Sequence, residues 1–149
     1  MDKKLRVGVI GGTGYVGQRF ISLLENHPWF TCTAVAASPR SAGKRYEDAV
    51  DGRWKIDAAM PEYIKDMVVY GTDEIEKLCE TVDFVFCAVD MKKDEIRALE
   101  EKIAKLEIPV VSNNSAHRWT PDVPMIIPEL NADHAAIIDA QKKRLGTKR

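Results

Sequence analysis

The sequence predicts an α/β protein with a Rossmann-like, doubly wound and mostly parallel sheet that carries helices on both faces. Three observations predict it. Short β-branched runs alternate with segments of helical period along most of the chain. One of those runs, "DFVFCAV" (Asp83 to Val89), is apolar without a break, as a strand buried on both faces must be. The seven residues from Gly11 to Gly17 read "GGTGYVG" and lie between the first apolar run and the first helical segment. Glycine weakens regular structure by roughly 0.5–1 kcal/mol relative to alanine, so such a cluster marks a sharp bend or a close approach.

Each element follows from its residues. "LRVGVI" (Leu5 to Ile10) is a buried strand by composition. Val16, Phe20, Leu23 and Leu24 then recur at helical spacing until "NHP" at Asn26 to Pro28 breaks the pattern. "FTCTAVAA" (Phe30 to Ala37) is the second strand. Residues 45–66 have no clean period and read as a loop with short helical pieces covering the sheet. "MVVY" (Met67 to Tyr70) reads as a strand and Asp73 to Glu80 as a short helix. After "DFVFCAV", a helix places Ile96, Leu99, Ile103 and Leu106 on one stripe, with acidic residues at its start and lysines near its end, as the helix dipole favours. "IPVVS" (Ile108 to Ser112) is a strand and "MII" (Met125 to Ile127) a short one. Asn131 is placed to cap a last helix running to about Leu145, with Gly146 as its carboxyl cap.

Length and composition bound the function. The 149 residues are enough for one domain, residues 1–149, with no linker or repeat. A formal net charge of -1 supplies no field for nucleic acid or an anionic membrane, so the expected partner is a small molecule. The charged stretch Lys142 to Arg149 is a solvated helix end and tail. No apolar run approaches the ~20 residues that cross a bilayer, and the apolar part of "MDKKLRVGVIGG" is too short for a secretory signal; a cytoplasmic location is expected. Cys32, Cys79 and Cys87 form no Cys-x-x-Cys pair and read as reduced, buried thiols, and no metal site is expected.

Gly12, Gly14 and Gly17 fit G-x-G-x-x-G, and Gly11, Gly14 and Gly17 fit G-x-x-G-x-x-G. Placed between a strand and a helix within a unit of about 30 residues, the spacing becomes a dinucleotide fingerprint. Small residues admit the pyrophosphate, while free backbone N–H groups and the positive end of the helix dipole receive its charge. The end of the second strand selects the dinucleotide. NAD enzymes place a carboxylate there for the ribose 2′-hydroxyl, whereas "AASPRSAGKRY" from Ala36 holds none before Glu47. Arg40 and Lys44, with the hydroxyls of Ser38 and Ser41, form a nest for a 2′-phosphate instead, which points to NADP.

A second polar cluster, "NNSAHRWTPDVP", leaves the strand that ends at Ser112. Ligands of open α/β sheets bind at the carboxyl ends of strands. Arg118 is the candidate for an anionic substrate group and Asn113 for orienting an amide or phosphate, while His117 is either a titrating group or a loop side chain, the latter being favoured.

The stretches "VGVIGGTGYVGQRF", "AASPRSAGKRY", "VVSNNSAHRW" and "PDVPMIIPELN" resemble the aspartate-β-semialdehyde dehydrogenase family in its archaeal and fungal-like branch, across nearly the whole chain. The resemblance implies NADP-dependent reduction of aspartyl-4-phosphate to the semialdehyde, or the reverse with phosphate, on the route to lysine, threonine and methionine, by an enzyme that is a homo-oligomer. It implies that Thr13, Gly14, Tyr15 and Val16 bind pyrophosphate, that Ser38, Arg40, Ser41 and Lys44 bind the 2′-phosphate, and that Cys87 and Ala88 border the nicotinamide. Arg118 matches the family's substrate-phosphate arginine. Two departures stand out. Many bacterial members carry Asp where Ser112 stands and Phe where His117 stands. The family's nucleophilic cysteine belongs to a Pro-Asn-Cys motif that this sequence does not contain. The chemistry needs that thiolate to form an acyl-enzyme. Neither of two other thiols is expected to replace it: Cys87 ends an apolar strand with no nearby cation in sequence to lower its pKa, and Cys79 sits on a predicted helix. The expectation is therefore the cofactor-binding part of such an enzyme, with the catalytic and dimerisation domain absent and no activity by itself. The rival readings are the same domain from N-acetyl-glutamyl-phosphate reductase or malonyl-CoA reductase, and a nonenzymatic nucleotide-sensing module.

Overall fold

The computed structural model describes residues 3–149. Five strands form one sheet: β1 (Leu5–Ile10), β2 (Phe30–Ala37), β3 (Tyr70–Gly71), β4 (Phe84–Cys87) and β5 (Val110–Ser112). All pairs are parallel and the order is β3-β2-β1-β4-β5, the doubly wound arrangement. β1 explains why two layers of helix are needed. Val7 and Val9 point into one apolar layer and Ile10 into the other, and all three are fully buried. Burying each such side chain stabilises the fold by about 1.5–3 kcal/mol.

Helices α1 (Tyr15–Leu24), α2 (Tyr46–Val50) and α3 (Glu62–Lys65) supply Ile21, Leu24, Tyr46, Val50 and Ile64 to the layer of Val7 and Val9. On the opposite face, α4 (Ile75–Cys79) and α5 (Lys93–Lys105) pack Ile75, Leu78, Ile96, Leu99 and Ile103 against Val85 and Cys87. Two short helices follow β5, α6 (Pro128–Asn131) and α7 (Ile138–Leu145), joined by a 3₁₀ segment, Ala132–Ile137. Gly146 ends α7 at φ 71°, and its N–H donates to the Lys142 carbonyl, as a carboxyl cap should. No helix among the described residues is long and apolar enough to cross a membrane.

Several local expectations need correction. Of "MVVY", only Tyr70 enters the sheet; Val68 makes one antiparallel bridge to Arg45 and is 57% exposed. "MII" forms no strand, because Met125 and Ile127 stand open to solvent and no strand among the described residues pairs with them. Asn131 does not cap the helix after it: its Oδ1 accepts from the Ile127 N–H and its Nδ2 donates to the Met125 carbonyl, clasping the loop before it. On α1 the buried face is Gly17, Gln18, Ile21 and Leu24, while Val16 and Leu23 are exposed. The close approach at Gly17 rotates the helix away from the apolar count. Leu106 likewise lies beyond α5 and is exposed.

The start of β1 is tied to the turn before β4. Asp83 accepts from the Arg6 backbone N–H (2.7 Å), Nη2 (2.9 Å) and Nε (3.3 Å). The Arg6 guanidinium holds the Asp83 carboxyl down to about 2, from an ordinary 3.8. A carboxyl depressed in the folded state stabilises above its unfolded value and loses that contribution as pH falls through the folded one. Acid titration followed by circular dichroism should therefore show Asp83→Asn losing less stability than the parent between about pH 4 and pH 2. Identical acid limbs would remove this pair from the account.

Candidate functional site

Register brings the functional loops to one edge. Ile10 pairs with both Ala36 and Cys87, Ala37 with Gly71, and Cys87 with Ser112. The loops that follow these strands consequently leave the sheet on the same side, the side where ligands of such sheets bind.

The glycines of the first turn are not equivalent. Gly11 has φ +82°, and a Cβ there would lie 2.4 Å from the Ala88 carbonyl oxygen. At Gly12 a Cβ would meet the Val35 side chain at 2.2 Å, and at Gly17 it would meet the Gly11 carbonyl oxygen at 2.1 Å. Gly14 differs. It is exposed, and its nearest neighbour to an added Cβ is the Gly11 oxygen at 3.7 Å, so this is the face of the turn that lies open. Beside it begins α1, and the N–H groups of Thr13, Tyr15 and Val16 have no acceptor among the described residues. Open N–H groups at a helix start are what an anion cradle would require.

The turn is held from three sides. The Gly11 and Gly12 N–H groups both donate to the Ala36 carbonyl, at 2.8 and 3.0 Å. The hydroxyl of fully buried Tyr46 donates to the Gly12 carbonyl at 2.7 Å. Gln18, 1% exposed, donates to the carbonyls of Thr13 (2.9 Å) and Arg53 (3.0 Å) and accepts from the Lys55 N–H (2.8 Å). Sequence reasoning missed Tyr46 and Gln18. One sits where no period exists, and the other is a polar residue on the face that the apolar count had turned outward.

After β2, Pro39–Ser41 form a single 3₁₀ turn in which the Ser41 N–H donates to the Ser38 carbonyl at 2.8 Å. Ser41 is buried, while Ser38, Arg40 and Lys44 are exposed. Arg45 next to them is committed to Asp66, Glu47 and Asp48. Among the described residues Arg40 and Lys44 have no ion-pair partner, which leaves both cations for a ligand.

Ala88 abuts the glycine turn, its N–H donating to the Ile10 carbonyl at 2.9 Å. The Cys87 side chain is fully buried, and burial, with the Glu100 carboxylate adding, pushes its thiol up to about 12. Burial also raises Cys32 and Cys79 to about 11 each. None has the lowered pKa of a nucleophile.

In the loop after β5, the Asn113 N–H donates to the Cys87 carbonyl at 3.2 Å, and the Asn113 carbonyl accepts from Arg118 Nη2 at 3.2 Å. Arg118 is exposed and keeps its other donors free of carboxyl partners among the described residues. His117 is 8% exposed, with Nδ1 at 3.0 Å from Thr120 Oγ1 and Nε2 at 3.4 Å from the Arg97 carbonyl, so it serves the loop. A cavity of about 540 Å³ runs beside β5, with Ser112, Asn114, Arg118 and Glu100 and the apolar Val111 and Met125 among its lining residues. No residue of the glycine turn lines it.

Residues 6–138 match the family model described as semialdehyde dehydrogenase, NAD binding domain. The aspartate-semialdehyde dehydrogenase of Methanothermobacter thermautotrophicus is 45% identical over 142 residues, which cover 95% of this chain and 39% of that protein. The enzyme of the same name from Archaeoglobus fulgidus is 42% identical over 140 residues, 94% of this chain and 39% of the relative. The crystal structure of aspartate semialdehyde dehydrogenase with NADP from Candida albicans superimposes with a TM-score of 0.83 at 36% identity, covering 98% of this chain and 40% of that one. This chain thus spans about two fifths of the length of the relatives it matches.

Proposed function

We propose, from the premise that this chain belongs to the semialdehyde dehydrogenase NAD-binding domain family, that it is the NADP-binding part of an aspartate-semialdehyde dehydrogenase. The observation that carries the cofactor choice is the end of β2, where Arg40 and Lys44 stand without ion-pair partners among the described residues and no carboxyl side chain occurs from Ser38 to Arg45. Thr13, Gly14, Tyr15 and Val16 would receive the pyrophosphate at the open face of the turn, and Ser38, Arg40, Ser41 and Lys44 the 2′-phosphate. NADPH, when bound, supplies the hydride that reduces an activated acyl group. Ala88, beside the turn, would line the nicotinamide end, and Arg118, anchored on the Asn113 carbonyl, would hold the phosphate of aspartyl-4-phosphate or inorganic phosphate.

The expected result for the parent is tighter binding of NADP than of NAD by calorimetry. Arg40→Ala should erase most of that preference, a loss of about 1.5–3 kcal/mol for an arginine bonded to a charged group, while NAD affinity stays where it was. Equal affinity for the two dinucleotides in the parent would sink the assignment.

Catalysis by the 149 residues alone is not expected. They contain no Pro-Asn-Cys, and their three thiols are buried and raised in pKa. Purified chain free of host enzyme should show no phosphate-dependent oxidation of aspartate semialdehyde above the buffer rate. Measurable turnover would show that one of these thiols, or another group, acts as nucleophile.

A further inference from the structure

Glu100 has no part in the reading above, yet it is a buried carboxyl, 6% exposed, on the face of α5 that meets the end of β5. Among the described residues no lysine or arginine pairs with it. Burying such a group without a cation is costly unless hydrogen bonds replace its water. They do. Glu100 Oε1 accepts from the Ser112 hydroxyl and, at 3.2 Å, from Asn114 Nδ2. The Ser112 Oγ in turn accepts from the Asn114 backbone N–H at 3.0 Å, and Asn114 Nδ2 also lies 3.5 Å from the Cys87 sulfur. The peptide between those two residues is that of Asn113, fixed to the Cys87 carbonyl through its N–H and holding Arg118 Nη2 through its carbonyl.

We infer that Glu100 is a positioning residue: one buried carboxyl oxygen gathers Ser112 and Asn114, and so fixes the Asn113 carbonyl that aims Arg118. The role in substrate binding rests on the proposed assignment of Arg118 to a phosphate group. The ordering of the loop does not. Arg97, one turn earlier on α5, holds the far end of the same loop through the Ala116 carbonyl at 3.2 Å, independently of Glu100.

Hydrogen exchange of the 149-residue chain tests the inference. In Glu100→Ala the amides of Asn113 and Asn114 should exchange about tenfold faster, since the acceptor of two side-chain bonds is gone, while the Gly11 and Gly12 amides keep their rates. Glu100→Gln retains a carbonyl oxygen for both donors and should return to within about threefold of the parent. Unchanged exchange in Glu100→Ala, acceleration of Gly11 and Gly12 in step with Asn113 and Asn114, or failure of Gln to rescue would each overturn it. Titration with inorganic phosphate, read from the amide shifts of residues 115–118, then addresses the site. The parent should respond, Glu100→Ala about tenfold more weakly with NADP affinity unchanged, and Arg118→Ala not at all although its Asn113 and Asn114 amides stay protected. A parent that ignores phosphate would overturn the role of Arg118 while the exchange rates still decide for Glu100.

Discussion

Gly17→Ala should destabilise the chain by about 3 kcal/mol or more, whereas Gly14→Ala, made three residues earlier in the same turn, should fold as the parent does. What decides is the surroundings of the added methyl. At Gly17 it would sit 2.1 Å from the Gly11 carbonyl oxygen and 2.7 Å from the Gly12 Cα, both backbone atoms that cannot swing aside. Relief requires α1 to lift from β1, and the buried contacts of Ile21, Leu24 and Gln18 lift with it. Overpacking commonly costs about 1–3 kcal/mol and more where backbone opposes it, a large part of the ~5–15 kcal/mol of a typical domain. At Gly14, with φ -79° and ψ 171°, alanine is at ease and meets nothing closer than 3.7 Å. Urea unfolding should show the first variant with a midpoint well below that of the parent and the second within about 1 kcal/mol of the parent. Because Gly14 faces the unpaired N–H groups of the helix start, its alanine variant should bind NADP more weakly while remaining folded. Equal stability of the two variants would refute the division of labour among these glycines.

Gln18→Leu should cost about 1–3 kcal/mol, although leucine is close to glutamine in size and far more apolar. Three backbone groups, the carbonyls of Thr13 and Arg53 and the N–H of Lys55, lose their partner at once at partly buried positions where the leucine side chain offers no replacement. The loop 51–55 would also lose its attachment to the glycine turn. The urea midpoint should fall, and the Lys55 amide should exchange faster in the folded protein. A loss below about 1 kcal/mol with Lys55 still protected would show that water, not Gln18, satisfies these groups.

The legible parts of the fold and the opaque ones differ in physical origin. β1 and β2 match the sequence expectation residue for residue, because β-branched composition bounded by Gly11 at one end and Ser38 at the other is a local property. The parallel order follows from the alternation of strands and helices. What no local rule supplies is the phase of α1, which is set by contact between Gly17 and a turn five to six residues away rather than by apolar count. Tyr46, Gln18 and Glu100 are invisible for a related reason: each is a polar side chain whose role depends on groups brought to it by the tertiary fold, backbone for Tyr46 and Gln18 and the side chains of Ser112 and Asn114 for Glu100. The candidate ligand residues are proposed from residue type: glycines after a strand, a basic loop and a polar loop after a strand. Only the fold separates exposed Gly14 from the glycines that serve packing.

The position of β1 at the centre of the sheet also sets a schedule. Its neighbour on one side, β2, follows after a single helix, but its neighbour on the other, β4, is tied to it by a contact spanning 77 residues, from Arg6 to Asp83. At a synthesis rate of about 5–20 residues per second, β1 waits several seconds for that partner. Throughout the wait, one rim of β1 offers unpaired N–H and C=O groups flanked by Val7, Val9 and Ile10, the kind of strand that pairs with whatever chain it meets. The strand that is most protected in the finished molecule is therefore the most vulnerable one during its making, and a chain stalled between β2 and β4 should be the species that chaperones bind and that aggregates when they do not.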